Sequence, residues 1–481
     1  MNNQVYNPYL PSWEYVPDGE PRVFGDRLYV YGSHDRFGGE DFCLNDYVCW
    51  SAPLDDLSAW KSHGIIYRSD QDPRNPEKKM HMCAPDCVRG NDSRYYLYYQ
   101  LHALQCTCVA VSDRPEGPFE YYGCVKHPDG TPWGEKKGDS FAFDPGVLVD
   151  DDGKVYLYVG FSPEGFMKTI LKMRGNNLTG SVCLHLSDDM MTVEGEEHPI
   201  APAKAAAKGT GFEGHGFFEA SSIRKVNGKY CYVYSSILSH ELCYAYSDKP
   251  DRDFVYGGTL ISIADIGFHE NTKPLNYLGN THGGMVNLNG DWYIFYHRQT
   301  NRLKSNRQGC AEKLTIHADG TIEQAEVTSC GLNNGPLKAK GFYEARIACN
   351  LSGKDGIISS DGAKKKDKKN LYPYFTQSGE DREENGDQYI SNMKNGSWCA
   401  FKYFECDSSE SQISICTRST KGALMTVHTS PDASPCAKLE LKAGEDWHEC
   451  TSDLKLPEGV HALYFIIRSD ASVDFRSFEI Q

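Results

Sequence analysis

Three acidic residues stand in equivalent places along this chain. Asp18 lies in VPDGEPRVFGDRLYVYG, Asp144 in FAFDPGVLVDDDGKVYLYVG and Glu219 in FFEASSIRKVNGKYCYVY, each a short way upstream of a Tyr-rich stretch. Carboxyls gathered from separate repeats can do general acid–base work: one ionised group takes a proton from water while a protonated one delivers a proton to a leaving group. Cleavage of an acetal with inversion needs that pair about 6.5–9.5 Å apart, so that a water fits between the base and the reacting carbon. A third carboxylate beside the acid raises its pKa by like-charge repulsion and keeps it protonated nearer neutral pH. Asp18, Asp144 and Glu219 are the candidates for these three places. The run Asp150, Asp151, Asp152 before Gly153 is assigned to a turn, where small polar residues tolerate left-handed geometry.

The elements that must position these groups come from a repeat. GDRLYVYGSHD (25–35), DSRYYLYYQ (92–100), DDGKVYLYVGF (151–161), NGKYCYVYSS (227–236) and NGDWYIFYH (289–297) are alike. Each is a polar turn feeding a Tyr-rich strand. Weaker strands follow, as in VAVSDRPEGPFE and YAYSDKPDRDFV, with a shared Ser-Asp-x-Pro turn. Such a unit repeated five times is expected to give five four-stranded blades of an all-β propeller within residues 1–328. The opening strand of each blade starts near the axis, so residues just before the repeats converge on one funnel. SCGLNNGPLKAKG (329–341) reads as a linker, and the short alternating strands of 342–481 read as a β-sandwich.

Charge and composition exclude some functions. A formal net charge of −16 repels nucleic acid and anionic membrane surfaces alike. The N-terminus MNNQVYNPYLPSWEY has neither the basic nor the apolar region of a secretory signal, so the chain as it stands reads as cytoplasmic, and as secreted if a signal has been removed. The 18 cysteines are scattered and read as reduced, buried thiols; Cys83 with Cys87, and Cys106 with Cys108, are the only spacings that suggest a metal pair. The run AKKKDKKN (363–370) reads as a solvated basic loop.

Over about residues 5–328 the arrangement resembles glycoside hydrolase family 43. The motifs that carry the resemblance are Phe143-Asp144-Pro145, Glu219 before Asn-Gly-Lys-Tyr, Ala84-Pro85-Asp86 ahead of the second blade, and Thr281-His282-Gly283-Gly284 ahead of the last. The resemblance implies that Asp18 is the base, with Glu20 two residues away as the competing assignment because Pro17-Asp18-Gly19-Glu20 departs from the family's A-D-P-S. It implies further that Asp144 tunes the acid Glu219, that Arg307 faces the sugar, and that Asp86 stabilises its blade and shapes the funnel as part of the substrate site. His282 would lie on the axis, where it lines the substrate site and helps to hold a hydrated, structural calcium ion. No cofactor is required for the chemistry.

The implied activity is inverting, exo-acting hydrolysis of an oligo- or polysaccharide, first of α-L-arabinofuranosides and alternatively of β-D-xylosides or galactosides. Long insertions at 68–82 and 126–141 are expected to wall off a pocket. The second domain resembles carbohydrate-binding module family 6 through Tyr343-Glu344-Ala345, with Tyr389, Trp398 and Trp447 as candidate sugar platforms. A sugar-binding propeller without catalysis is the alternative of another class, and a fructan-type enzyme is disfavoured because W-M-N-D-P-N-G is absent.

Overall fold

Each Tyr-rich repeat forms the second strand of a small antiparallel sheet, in a computed structural model that describes residues 4–357, 372–381 and 386–481. The basic run 363–370 lies outside the described residues. Four sheets have four strands and the fifth has three, each strand pairing with the next in sequence. Their first strands are Glu20–Phe24, Asp86–Arg89, Gly146–Val149, Phe217–Val226 and Met285–Leu288. Each of these packs against the corresponding strand of the blades on either side, and the last returns to the first, so the five sheets surround one axis. This is the five-bladed β-propeller expected from the repeat.

The two recurring halves of the repeat unit meet across blade boundaries. Tyr31 donates its hydroxyl to the Pro115 carbonyl in the Ser-Asp turn of blade two, and Tyr98 donates to Met190 in the corresponding turn of blade three. Tyr158 donates to Pro250 in that of blade four. A tyrosine serves here because its ring fills the apolar space between sheets while its hydroxyl satisfies a carbonyl that water cannot reach. The ring is closed by the N-terminal segment: Asn7 Nδ2 donates to the Ala311 carbonyl at 2.9 Å, and Ala311 N–H returns to Asn7 Oδ1 at 2.9 Å. Tyr9, Leu10 and Val16 then share one apolar cluster with Leu28 and Val30 of blade one and Phe295 of blade five.

The C-terminal unit is a β-sandwich of two six-stranded sheets. Its core is built on Phe401, Phe465, Phe475 and Phe478, whose rings meet at centroid distances of 4.9–6.3 Å. Residues 329–341 are tied down at both ends of their course: Leu332 packs into the propeller cluster, while the strand Leu337–Lys338 runs parallel to Trp398–Cys406 of the sandwich. The two units also exchange buried polar contacts, such as Asn350 Nδ2 to Asp265 Oδ2 at 2.9 Å and Lys402 Nζ to Glu326 at 2.7 Å.

One α-helix, Gly165–Arg174, breaks the all-β pattern. It carries Phe166, Met167, Ile170 and Leu171 at helical spacing and ends on Gly175 at φ 90°, a left-handed cap that glycine adopts without steric cost. No helix among the described residues is long and apolar enough to cross a membrane.

Candidate active site

Asp18, Asp144 and His282 stand just before, and Glu219 within, the innermost strands of blades one, three, five and four. All four line a single cavity of about 990 Å³ together with Arg307. The backbone is shaped for this. Asp18 and Asp144 adopt φ of 55° and 47°, and Ala220, beside Glu219, adopts 68°. These are left-handed conformations that non-glycine residues rarely hold and that concentrate at functional sites. Around Glu219 the register with the next strand breaks twice, between Phe217 and Glu219 and again between Glu219 and Ser222. A bulge there turns the carboxyl out of the ladder and toward the axis.

The two candidate proton-transfer groups have opposite surroundings. Asp18 is buried and each of its carboxylate oxygens accepts a hydrogen bond: Arg307 Nη1 donates to Oδ1 at 2.8 Å and the Ser33 hydroxyl donates to Oδ2, which leaves lone pairs for a water. His297 donates Nε2–H to the Asn280 carbonyl at 2.8 Å, which leaves its Nδ1 to accept the Asp18 amide at 3.3 Å. Burial is the largest influence on Asp18 and would raise its pKa, but the Arg307 guanidinium acting together with His297 and His282 outweighs it and holds the carboxyl well below the usual range. Glu219 makes no side-chain hydrogen bond among the described residues. Burial first, and then the negative charge of Asp144, push its pKa up to about 8. Asp144 is raised by burial as well, against the pull of His282 Nδ1 at 3.5 Å. Its Oδ2 accepts the Ala220 amide at 3.2 Å, which ties it to the bulge that carries Glu219.

The structure separates Asp18 from its competitor. Glu20 is fully buried beneath the cavity floor, bonded to Arg224 at 2.8 Å and Ser222 at 3.0 Å, and it does not line the cavity. Two residues along an extended chain, the side chain points the same way, but Glu20 already belongs to the ladder of blade one. Asp86 is a correction to its placement at the substrate. It is fully buried, forms a two-pronged pair with Arg22 and accepts the Val147 amide at 2.9 Å, so it joins blades one, two and three and does not reach the cavity. Arg307 lines the cavity, and its bonds to Asp18, Asp35 and Ser33 also make it a positioning group for Asp18.

Sequence reasoning did not single out several groups that line the cavity or hold its lining residues from behind. His297, Ser33 and Asp35 lie inside the Tyr-rich repeats, where a polar residue at the strand's end was the available signal. Phe141, Phe143, Phe161 and Phe218 form one continuous aromatic wall, with neighbouring centroids 4.8–6.1 Å apart. Such a wall suits the apolar face of a sugar ring. The helix contributes Met167, Ile170, Leu171 and Arg174. Of the two insertions expected to enclose the pocket, 68–82 reaches it only through His81 and 126–141 only through Phe141, so the helix and residues 41–43 do more of the walling.

The chain matches the model of the family described as Glycosyl hydrolases family 43 over residues 15–322. It belongs to that family. The family 43 chain is 45% identical over its whole length to a xylosidase/arabinosidase of Thermoclostridium stercorarium, of which the alignment covers 99%. It is 31% identical to xylosidase/arabinosidase 43A of Humicola insolens, over 59% of this chain and 88% of that one. Among solved structures it is similar to a family 43 β-xylosidase/α-arabinofuranosidase from a compost metagenome, in complex with xylotriose and in calcium-free form. That likeness has a TM-score of 0.51 at 26% identity and spans 68% of this chain and 98% of that one. This protein is therefore a glycoside hydrolase, and its substrate is a carbohydrate.

Among the described residues all 18 cysteines are free thiols, and neither Cys83 with Cys87 nor Cys106 with Cys108 belongs to a group of metal-ligating side chains. In the sandwich, Tyr389 is buried and Trp447 is covered by the guanidinium of Arg418, 4.6 Å from the ring centre, so neither presents an open face for a sugar. Trp398 is half-buried, 5.8 Å from Tyr464.

Proposed function

We propose that this family 43 enzyme removes terminal α-L-arabinofuranosyl residues from plant-type oligo- or polysaccharides with inversion, Asp18 serving as base and Glu219 as acid. The observation that carries the mechanism is the opposed state of the two carboxyls in one cavity. Asp18 is held ionised by Arg307, and Glu219 keeps its proton up to about pH 8. Asp18 would draw a proton from a water placed beneath the sugar, while Glu219 protonates the departing oxygen on the other face. Asp144 would act through Glu219, raising its pKa and fixing the bulge on which it stands. The sugar assignment draws on the relative at 45% identity, whose name joins xylosidase and arabinosidase. That joint name also favours a second reading, β-D-xylosidase activity in the same pocket.

A calcium ion on the axis would fit as a hydrated ion. His282 Nε2 and Glu20 Oε1 are buried, lack hydrogen-bond partners among the described residues and face each other across 3.9 Å. One imidazole and one carboxylate are too few for a protein cage around a cation that takes six to eight oxygens, so water would complete its shell. When bound, the ion would supply fixed positive charge near Asp144. In its absence the proton on His282, whose pKa rises to about 9 through Asp144 despite burial, does the same.

The test is a panel of aryl and natural glycosides with NMR of the first anomer released. Release of arabinose, or of xylose for the second reading, as the inverted anomer is the expected result. A retained anomer would remove the mechanism, and turnover of neither glycoside would remove both sugar assignments.

A further inference from the structure

We infer that His185, His198 and Asp251 form a binding site for a divalent transition-metal ion, with Zn²⁺ as its simplest occupant, that braces blade three against blade four. His185 lies on the strand Gly180–Leu186 and His198 on the adjacent Val193–Pro202, the two outer strands of blade three. Asp251 comes from the Ser-Asp-Lys-Pro turn of blade four, next to Pro250, whose carbonyl receives the Tyr158 hydroxyl of blade three. The three residues are thus brought together by the same inter-blade contact that the repeat builds around the ring. None of them lines the catalytic cavity.

The geometry suits an ion. His185 Nε2 is 3.1 Å from Asp251 Oδ2, the two imidazoles lie 5.1 Å apart at 29°, and one ligand atom from each residue falls within 4.8 Å of the others. Zinc bonds of about 2.0–2.2 Å place tetrahedral ligands about 3.3 Å apart. The widest separation must therefore close by at most about 1.5 Å, a movement open to the two half-exposed histidines. Two imidazoles with one carboxylate select zinc, copper or nickel over calcium and magnesium, which prefer all-oxygen shells. Three protein ligands leave a position for water. The carboxylate is nearly buried, its side chain 7% exposed, while the imidazoles give an ion access from solvent. Arg252, 3.3 Å from the same carboxylate oxygen, is half-exposed and free to swing away.

A second group, His215, Glu241 and Cys243, is also close enough to hold an ion. There the carboxylate already accepts hydrogen bonds from His215, Ser236, Cys243 and Thr259, so an ion would have to break a complete network. That contrast favours the open group on blades three and four.

Isothermal titration of the chelator-stripped, full-length protein with Zn²⁺ tests the site, alongside His198→Ala, Asp251→Asn and His215→Ala. Zinc is expected to bind the wild type and to raise its melting temperature. His198→Ala should weaken binding by about tenfold or more and abolish the thermal shift, while His215→Ala leaves both intact. Hydrolysis of an aryl glycoside by His198→Ala at the wild-type rate would establish that the variant is folded, and Asp251→Asn checks the blade-four ligand. Absence of zinc binding to the wild type, binding unchanged in His198→Ala, or loss only in His215→Ala would each overturn the proposal.

Discussion

Arg307 Nη1 stands 2.8 Å from Asp18 Oδ1, and the rest of the same guanidinium is anchored on Asp35, with Nε 2.8 Å from Oδ2 and Nη2 3.0 Å from Oδ1. The arginine is therefore a fixed positive charge, and its effect on Asp18 does not depend on substrate. Arg307→Lys keeps a charge but loses the rigid fork, so the Asp18 pKa should climb as burial goes uncompensated. The expected outcome is a new acid limb in kcat/KM against pH, absent from the wild type, with kcat/KM at neutral pH reduced.

Glu219 should set the alkaline limb. The acid form is required and its pKa lies at about 8, so kcat/KM should fall as pH rises through that value. Asp144→Asn removes a negative charge from beside it and should move the limb toward lower pH. An alkaline limb unmoved by Asp144→Asn would separate Asp144 from the acid's titration.

Leaving-group dependence distinguishes the two carboxyls. Glu219→Ala is expected to lose about 10²–10⁴-fold on natural glycosides while keeping much of its rate on aryl glycosides whose leaving group needs no proton. Asp18→Ala should be inactive on both. Equal losses for Glu219→Ala on both substrates would exclude it as the acid.

Holding Glu219 protonated also costs stability. Its folded pKa exceeds the ordinary glutamate value of about 4.3, so folding takes up a proton at intermediate pH. The native state is relatively most favoured below the unfolded pKa, and that advantage is lost as pH rises through about 8. Glu219→Gln should therefore melt like the wild type near pH 4 and at a progressively higher temperature than the wild type up to about pH 8, as followed by calorimetry.

Asp86 offers the reverse case. Removing it leaves Arg22 with an unpaired buried charge where three blades meet, a loss of about 3–5 kcal/mol. Asp86→Ala should lower the melting temperature sharply while the folded fraction keeps the wild-type KM, which would distinguish a blade-joining residue from one that touches sugar.

Much of this molecule was legible along the chain because a propeller repeats. The five Tyr-rich strands announce five sheets, and Asp18, Asp144, Glu219 and His282 precede or open the strands that surround the axis, so position within the repeat predicts convergence on one cavity. The helix Gly165–Arg174 was missed by the all-β reading: it lies in a connection between repeat strands and has no copy elsewhere, so only the local spacing of Phe166, Ile170 and Met173 and the cap at Gly175 could have signalled it.

What the sequence by itself determined was the periodic part: strand order, blade number and the residue types at the inner strand ends. Only the tertiary structure decided between neighbours two residues apart. Asp18 faces the cavity because a left-handed turn lifts it off the ladder, while Glu20 is held inside by Arg224. It also moved Asp86 from the substrate to the blade junction, and it set the charge of each carboxyl, since pKa values follow from burial and from the side chains that other blades bring near. Those partners, Arg307 for Asp18 and Asp144 for Glu219, are 289 and about 75 positions away along the chain, distances over which spacing carries no signal.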